Sequence, residues 1–290
     1  MSLEKRLSSG EFVVLAEMNT PKGVNISELV TNARRIRGRI DAAVIPDMDN
    51  GVMRMSALGG GVLIQQQGIE AVIHVYCRDR NRMALQGDML AAHVVGIQNL
   101  IVVRGDDMAS GDHVDAKPVN DLDELGLLGA IQSLQKGVDM AGFELNGTPA
   151  FTVGCAMAPC ADDKALDREM EFTQRKIAAG ARFVICPPVF DLDHLVPLAK
   201  KIEALGAAVI PTVFLLKTVG IARYMATYEP GAHISEALIK RMRKSSDREM
   251  EGVKIAGEMI RDLKGQVRGV HIVTLGWEHK LPDILDHAGL

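Results

Sequence analysis

Three short stretches of the chain, above all, place ionisable groups where they could do chemistry. In "FVVLAEM" a single carboxylate, Glu17, closes an otherwise apolar run. Burial disfavours the charged form of a carboxyl and raises its pKa, so Glu17 could serve as a general acid near neutral pH. The competing reading is an ion pair with a basic residue across the same mouth. In "IHVYCRDRNRMALQ", residues 73–86, His74, Cys77, Arg78, Asp79 and Arg80 crowd the junction between an apolar run and a helical pattern. Cations and backbone N–H groups at a helix start attract an anionic ligand. The plainer alternative is a solvated first turn capped by Asp79. The run "VVRGDDM" ends in Arg104, Gly105 and Asp106, where Gly105 permits close backbone approach, although an ordinary turn reads the same way. Further on, Lys217 and Trp277-Glu278 close two more apolar runs, and Asp47 another.

The elements that hold these groups follow from periodicity. Short Val/Ile-rich runs bounded by turn residues occur at Phe12–Asn19, Ala42–Asp47, Ala71–Cys77, Asn99–Asp106, Phe151–Ala158, Arg182–Phe190, Ala207–Leu215 and Gly269–Gly276. They are nearly continuous rather than alternating, as strands covered on both faces are. Helical patterns lie between them at Asn25–Gly38, Arg82–Gly96 and Asp167–Gly180, and Ser246 to Glu249 reads as a capping box opening a helix that Gly265 closes. In "HVVGIQNLIVV", "KIAAGARFVIC" and "KIEALGAAVIP" a glycine stands between helix and strand, the residue a left-handed cap requires. Eight βα units in one chain predict a single (β/α)₈ TIM barrel over residues 1–290, with its site at the C-terminal ends of the strands. A doubly wound open sheet is the alternative, but no GxGxxG follows the first strand. Ala109–Asn120 reads as a long loop, and Gly59-Gly60-Gly61 sits inside a helical pattern, where close packing or a cofactor contact would account for it.

Composition narrows the function classes. Of 290 residues 47% are hydrophobic but only 4% aromatic, and 33 Lys+Arg face 37 Asp+Glu. Such a chain builds an aliphatic core and carries no broad basic surface or stacking platform for nucleic acid. No run approaches the roughly 20 apolar residues of a membrane helix, so no membrane contact and a cytoplasmic protein are expected. Cys77, Cys155, Cys160 and Cys186 form no CxxC pair, and no metal site is expected.

Taken together, "LAEMNTP", "VMRMSAL", "CRDRNRMALQGDML", "GIQNLIVVRGDD", "RKIAAGARF", "PPVFD" and "VHIVTLG" run in order over nearly the whole chain, which thereby resembles the methylenetetrahydrofolate reductases. The resemblance implies a TIM barrel holding a flavin (FAD in most of the family, FMN otherwise) and reduction of a methylenetetrahydrofolate to the methyl form, a step of one-carbon metabolism that serves methionine synthesis. It assigns Glu17 as the general acid that protonates N10 of the folate, and Asp106 as the aspartate beside flavin and pterin. His74, Arg104, Lys176 and Glu169 fall on cofactor-contacting positions, while Arg78, Asp79 and Arg80 fall near the ribityl and phosphate groups. Pro187 replaces a Gln that contacts the pterin in many relatives, and Gly154 and Ala158 replace an aromatic and a His, which implies a pocket that is wider, shaped for another folate or pterin carrier, or completed by another chain. NADH, NADPH or a partner redox protein would supply electrons, and a homo-oligomer or a subunit of a hetero-complex is expected. Two other readings remain: a flavin- or folate-binding subunit that depends on a partner for electrons, and a related methyl-carrier barrel without flavin. The basic run Lys240–Lys244 reads either as a solvated helix end or as an attractor for the anionic tail of a folate.

Overall fold

The computed structural model describes residues 1–290, the side chain of Pro230 excepted. In chain order the elements are α1 (Leu3–Ser9), β1 (Val13–Glu17), α2 (Ser27–Ile36), β2 (Ala42–Ile45), α3 (Ala57–Gln66), β3 (Glu70–Tyr76), α4 (Arg82–Val94), β4 (Asn99–Val103), α5 (Glu124–Gln135) and β5 (Thr152–Ala156). There follow α6 (Asp163–Ala178), β6 (Phe183–Cys186), α7 (Leu192–Glu203), β7 (Ala208–Phe214), α8 (Val219–Tyr228), α9 (Glu236–Lys244), α10 (Arg248–Leu263), β8 (Gly269–Val273) and α11 (Leu281–Ala288). All strands are parallel, each pairs with its sequence neighbours, and β1 pairs with β8, so the sheet closes. No helix among the described residues is long and apolar enough to cross a membrane.

The strands separate two apolar sets. Val13, Leu15, Val44, Val72, Ile101, Phe183, Ile185 and Ile210 fill the barrel, whereas Val14, Ala16, Ala43, Ile45 and Val270 pack outward on the helices. This alternation sends Glu17 inward at the end of β1 and explains why both faces are apolar in sequence. The ring of Phe183 occupies the space over Gly154, whose Cβ would lie 2.3 Å from it, so the room expected there is filled from the next strand.

All eight expected strands are present, most of them shorter than their apolar runs. The sixth stops at Cys186 because Pro187 and Pro188 donate no ladder hydrogen bond. Helix α6 begins at Asp163, ahead of the expected Asp167, because Asp162 caps it by accepting from the Ala165 N–H. Helix α10 is capped by Asp247, whose carboxylate accepts from the Met250 N–H, and not by Ser246. Gly96, Gly180 and Gly206 have φ of +89°, +106° and +96°, the left-handed turns that their places between helix and strand require. Two of the three glycines of α3, Gly60 and Gly61, are explained by packing. A Cβ on Gly60 would lie 2.5 Å from Thr20 Cγ2 and 2.9 Å from Ile45 Cγ2, and one on Gly61 2.7 Å from Ile97 Cδ1.

Candidate active site

The C-terminal mouth gathers carboxylates. Glu17 is 6% exposed, and burial together with the nearby charges of Asp49 and Glu278 raises its pKa from 4.5 to about 8. The Asn19 amide donates at 3.4 Å both to Glu17 Oε1 and to Glu278 Oε1, and Glu278 Oε1 also accepts from the Gly276 N–H at 3.1 Å. Asp49 accepts from the Tyr76 hydroxyl at 3.3 Å, and its pKa is raised by burial and by Asp106. Asp106 is exposed and accepts from the Asn50 N–H at 3.0 Å. Burial holds His74 neutral, its pKa lowered to about 4, with Nδ1 3.4 Å from the Tyr76 hydroxyl. A proton-bearing acid, a neutral imidazole and an exposed carboxylate thus come from β1, β3 and the loop after β4.

Other residues expected at the site are spent on each other. Arg78, 3% exposed, binds Asp79 through Nε at 2.6 Å and Nη2 at 2.9 Å, and donates to the carbonyls of Met48 and Asp106 at 3.0 and 3.1 Å. It therefore ties together the loops after β2, β3 and β4. Arg80 pairs with Asp47 at 2.6 Å and Asp88 at 3.0 Å. Lys176, 1% exposed, donates to the Ala156 carbonyl at 2.6 Å, to Glu169 at 3.1 Å and to Glu124 at 3.4 Å. Glu169 also accepts from the Ala158 N–H at 3.2 Å, so this cluster fixes the end of β5 against α5 and α6. Among the described residues Arg104 is exposed and has no ion pair. Pro187 is half-buried just past β6.

Two mouth carboxylates were not singled out for a role by the sequence. Asp49 rather than Asp47 faces the site, because Asp47 accepts from the Ala57 N–H at the start of α3 at 3.1 Å and holds Arg80. Met48 and Asn50, with φ of 54° and 55°, turn the chain so that Asp49 points back to the mouth. Glu278 is turned in after Leu275 (φ 45°) and Gly276 (φ 83°). The "DMDNG" cluster of turn-forming residues was the available signal for Asp49. Beside that turn, Lys217 donates to the Leu275 carbonyl and lies 5.0 Å from the centre of the Trp277 ring. The basic run is a bridge between helices: Arg241 binds Glu251 at 2.6 Å and Glu258 at 2.5 Å, and Met242 is buried. Arg241 is therefore not free to receive an anionic tail. A cavity of about 660 Å³ lies at the opposite end of the barrel, among Glu70, Asn99, Gln132, Arg182, Glu203 and Arg268. It gathers none of these mouth carboxylates, and barrel sites form at the C-terminal face.

Fold and site together define a (β/α)₈-barrel protein with an acid–base constellation at its C-terminal mouth. The chain matches the methylenetetrahydrofolate reductase family over residues 2–289 and belongs to it. It is 22% identical to methylenetetrahydrofolate reductase 2 of Schizosaccharomyces pombe, over 92% of this chain and 43% of that protein. With methylenetetrahydrofolate reductase 1 of the same organism the identity is 18%, over 77% of this chain and 36% of the relative. The chain thus spans less than half the length of these curated relatives. Among solved structures, EDTA monooxygenase from Chelativorans sp. BNC1 superposes with a TM-score of 0.53 at 12% identity, covering 96% of this chain and 94% of that one. A long-chain alkane monooxygenase gives 0.55 at 11% identity, covering 97% and 92%. Both share the barrel.

Proposed function

We propose that this chain is a single-barrel, flavin-dependent methylenetetrahydrofolate reductase, with Glu17 as its general acid. The observation that carries the reading is the state of Glu17: a carboxyl at the mouth, inside a barrel of this family, kept protonated through neutral pH by burial and by Asp49 and Glu278. The mouth fits a flavin. Arg104 offers an exposed cation with no ion pair among the described residues, and the neutral His74 ring can hydrogen-bond a heterocycle. Gly105, at φ +95°, lets the loop after β4 pack directly on Arg78 and Tyr76, where a Cβ would lie 2.8 Å from Arg78 Cβ. His74, Arg104 and Asp106 would hold the cofactor, on loops braced by Arg78, Asp79 and Arg80 and by the Lys176–Glu169 cluster.

A flavin bound there supplies hydride for the exocyclic carbon of the substrate. Glu17 gives its proton to N10 of the folate, because a neutral amine is a poor leaving group, and the imidazolidine ring opens. Asp106 holds a negative charge where pterin and flavin would meet. Because only the protonated acid works, turnover should fall as pH rises through about 8. FAD, NADH or NADPH as donor, and a cytoplasmic setting are parts of the same proposal. Pro187, which offers no side-chain hydrogen bond to a pterin, supports a second reading, a flavin- or folate-binding barrel that receives electrons from a partner protein.

The test is the absorption spectrum of purified protein, with anaerobic addition of NADH, NADPH and methyltetrahydrofolate in turn. Bleaching by a nicotinamide supports the first reading, and bleaching only by the methylated folate supports the second. Glu17→Gln should still bleach with the competent donor but no longer reduce folate. A colourless protein that takes up neither FAD nor FMN, or a Glu17→Gln variant with full turnover, would overturn the proposal.

A further inference from the structure

Inside the barrel lies a titratable side chain that the proposed chemistry does not use. His271 projects inward from β8, in register with Leu15 of β1 and Thr212 of β7, and is 4% exposed. Neither of its ring nitrogens has a hydrogen-bond partner among the described residues. Its Nε2 lies 3.9 Å from Glu17 Oε2. The Asn19 amide donates to the other carboxyl oxygen, Oε1, at 3.4 Å. An unsatisfied imidazole on β8 and the carboxyl at the end of β1 therefore face each other just beyond hydrogen-bond distance.

The charge environment makes this gap consequential. Once Glu17 has given up its proton, the carboxylate stands near the charges of Asp49 and Glu278, with the Arg54 cation acting against them. His74 faces His271 from β3, and both rings are held neutral by burial. A neutral imidazole has one N–H and one lone pair, so His271 can donate without bringing charge into the barrel.

We propose that His271 is the positioning residue of the acid: its Nε2–H closes onto Glu17 Oε2 as the carboxyl gives up its proton, and holds the carboxylate until it is reprotonated. This rests on the acid role of Glu17 proposed above and adds a partner that sets how readily that acid lets go. Thr212 is the register neighbour of His271 on β7, and Asn19 holds the other oxygen of the Glu17 carboxyl.

The cofactor-free protein suffices for the test. With carboxyl-labelled glutamate, the Glu17 resonance is identified by its loss in Glu17→Gln and followed against pH. His271→Phe should move its midpoint up by about one pH unit, the size expected for a lost hydrogen bond to a charged group, and His271→Gln, which keeps an N–H, should move it back. Unchanged midpoints, or a His271→Gln variant indistinguishable from His271→Phe, would overturn the proposal. The wild-type chain gives a second measurement that needs no His271 variant to fold. The His271 ring nitrogens, labelled with ¹⁵N, should respond at the Glu17 midpoint, and that response should vanish in Glu17→Gln. An elevated Glu17 midpoint with a silent His271 sinks this inference alone, whereas a Glu17 midpoint in the ordinary carboxylate range sinks the acid role as well.

Discussion

Replacing Glu17 by Gln should stabilise the protein while it disables the proposed reaction, and the two effects can be measured apart. Burial and neighbouring carboxylates raise the Glu17 carboxyl from its ordinary 4.5 to about 8. Between those limits the native protein holds a proton that the unfolded chain has already released, so stability is greatest below the lower value and falls as pH rises towards the upper one. At about 1.4 kcal/mol per pH unit the whole span is worth about 4–5 kcal/mol, of which about 3 kcal/mol has been lost by pH 7. Glutamine has nearly the same shape, carries no charge and can still accept from Asn19. Glu17→Gln should therefore match the wild type near pH 5 and exceed it by about 3 kcal/mol at pH 7, with a larger margin at pH 8. His74 and His271, neutral in the folded chain and protonated in the unfolded chain below about 6.5, weaken both proteins alike in acid, so they cancel from the difference. Urea unfolding at pH 5, 6, 7 and 8 measures that difference. Parallel curves would mean that Glu17 titrates normally in the fold, and both the electrostatic reading and the acid assignment would be refuted.

Other substitutions separate packing from chemistry. Gly60→Ala should destabilise the chain by up to about 2 kcal/mol in urea unfolding, because overpacking against Thr20 and Ile45 outweighs the roughly 1 kcal/mol gain in helix propensity. Gly59→Ala, whose Cβ would approach nothing closer than Met55 at 3.5 Å, should be neutral or stabilising. Lys176→Met strands Glu124 and Glu169 without their counter-charge and should cost about 3–5 kcal/mol, part of which the further change Glu124→Gln should recover in a double-mutant cycle. Asp247→Ala should lose about 1 kcal/mol with the cap of α10, whereas Ser246→Ala should leave the unfolding midpoint unchanged.

The elements were legible where a local pattern suffices, and the partnerships were not where they depend on distant chain. Each strand is covered on both faces, which leaves a continuous apolar run that needs no knowledge of its neighbours to read. Glu17, His74, Arg104 and Asp106 were found the same way, since barrel topology alone brings strand ends to the mouth. Helix α1 left no such signal: seven residues carry too little periodicity, and the contact that seats its Leu3 N–H is Glu70, 67 residues away. Arg78, Arg80 and Lys176 show the same limit from the other side. Their charges were visible, but Lys176 is neutralised in part from α5, by Glu124, 52 residues earlier. Asp49 and Glu278 reach the mouth through left-handed residues at Met48 and Leu275, conformations that those side-chain types do not announce, with Asn50 the one turn signal among them. His271 shows the same dependence on distant chain, being a polar residue in the "VHIVTLG" run whose charged neighbour, 3.9 Å away, lies on β1 at the other end of the chain. Position in a barrel can thus be read from one strand at a time, but whether a charge there is free to act requires the strand beside it and the loops above it.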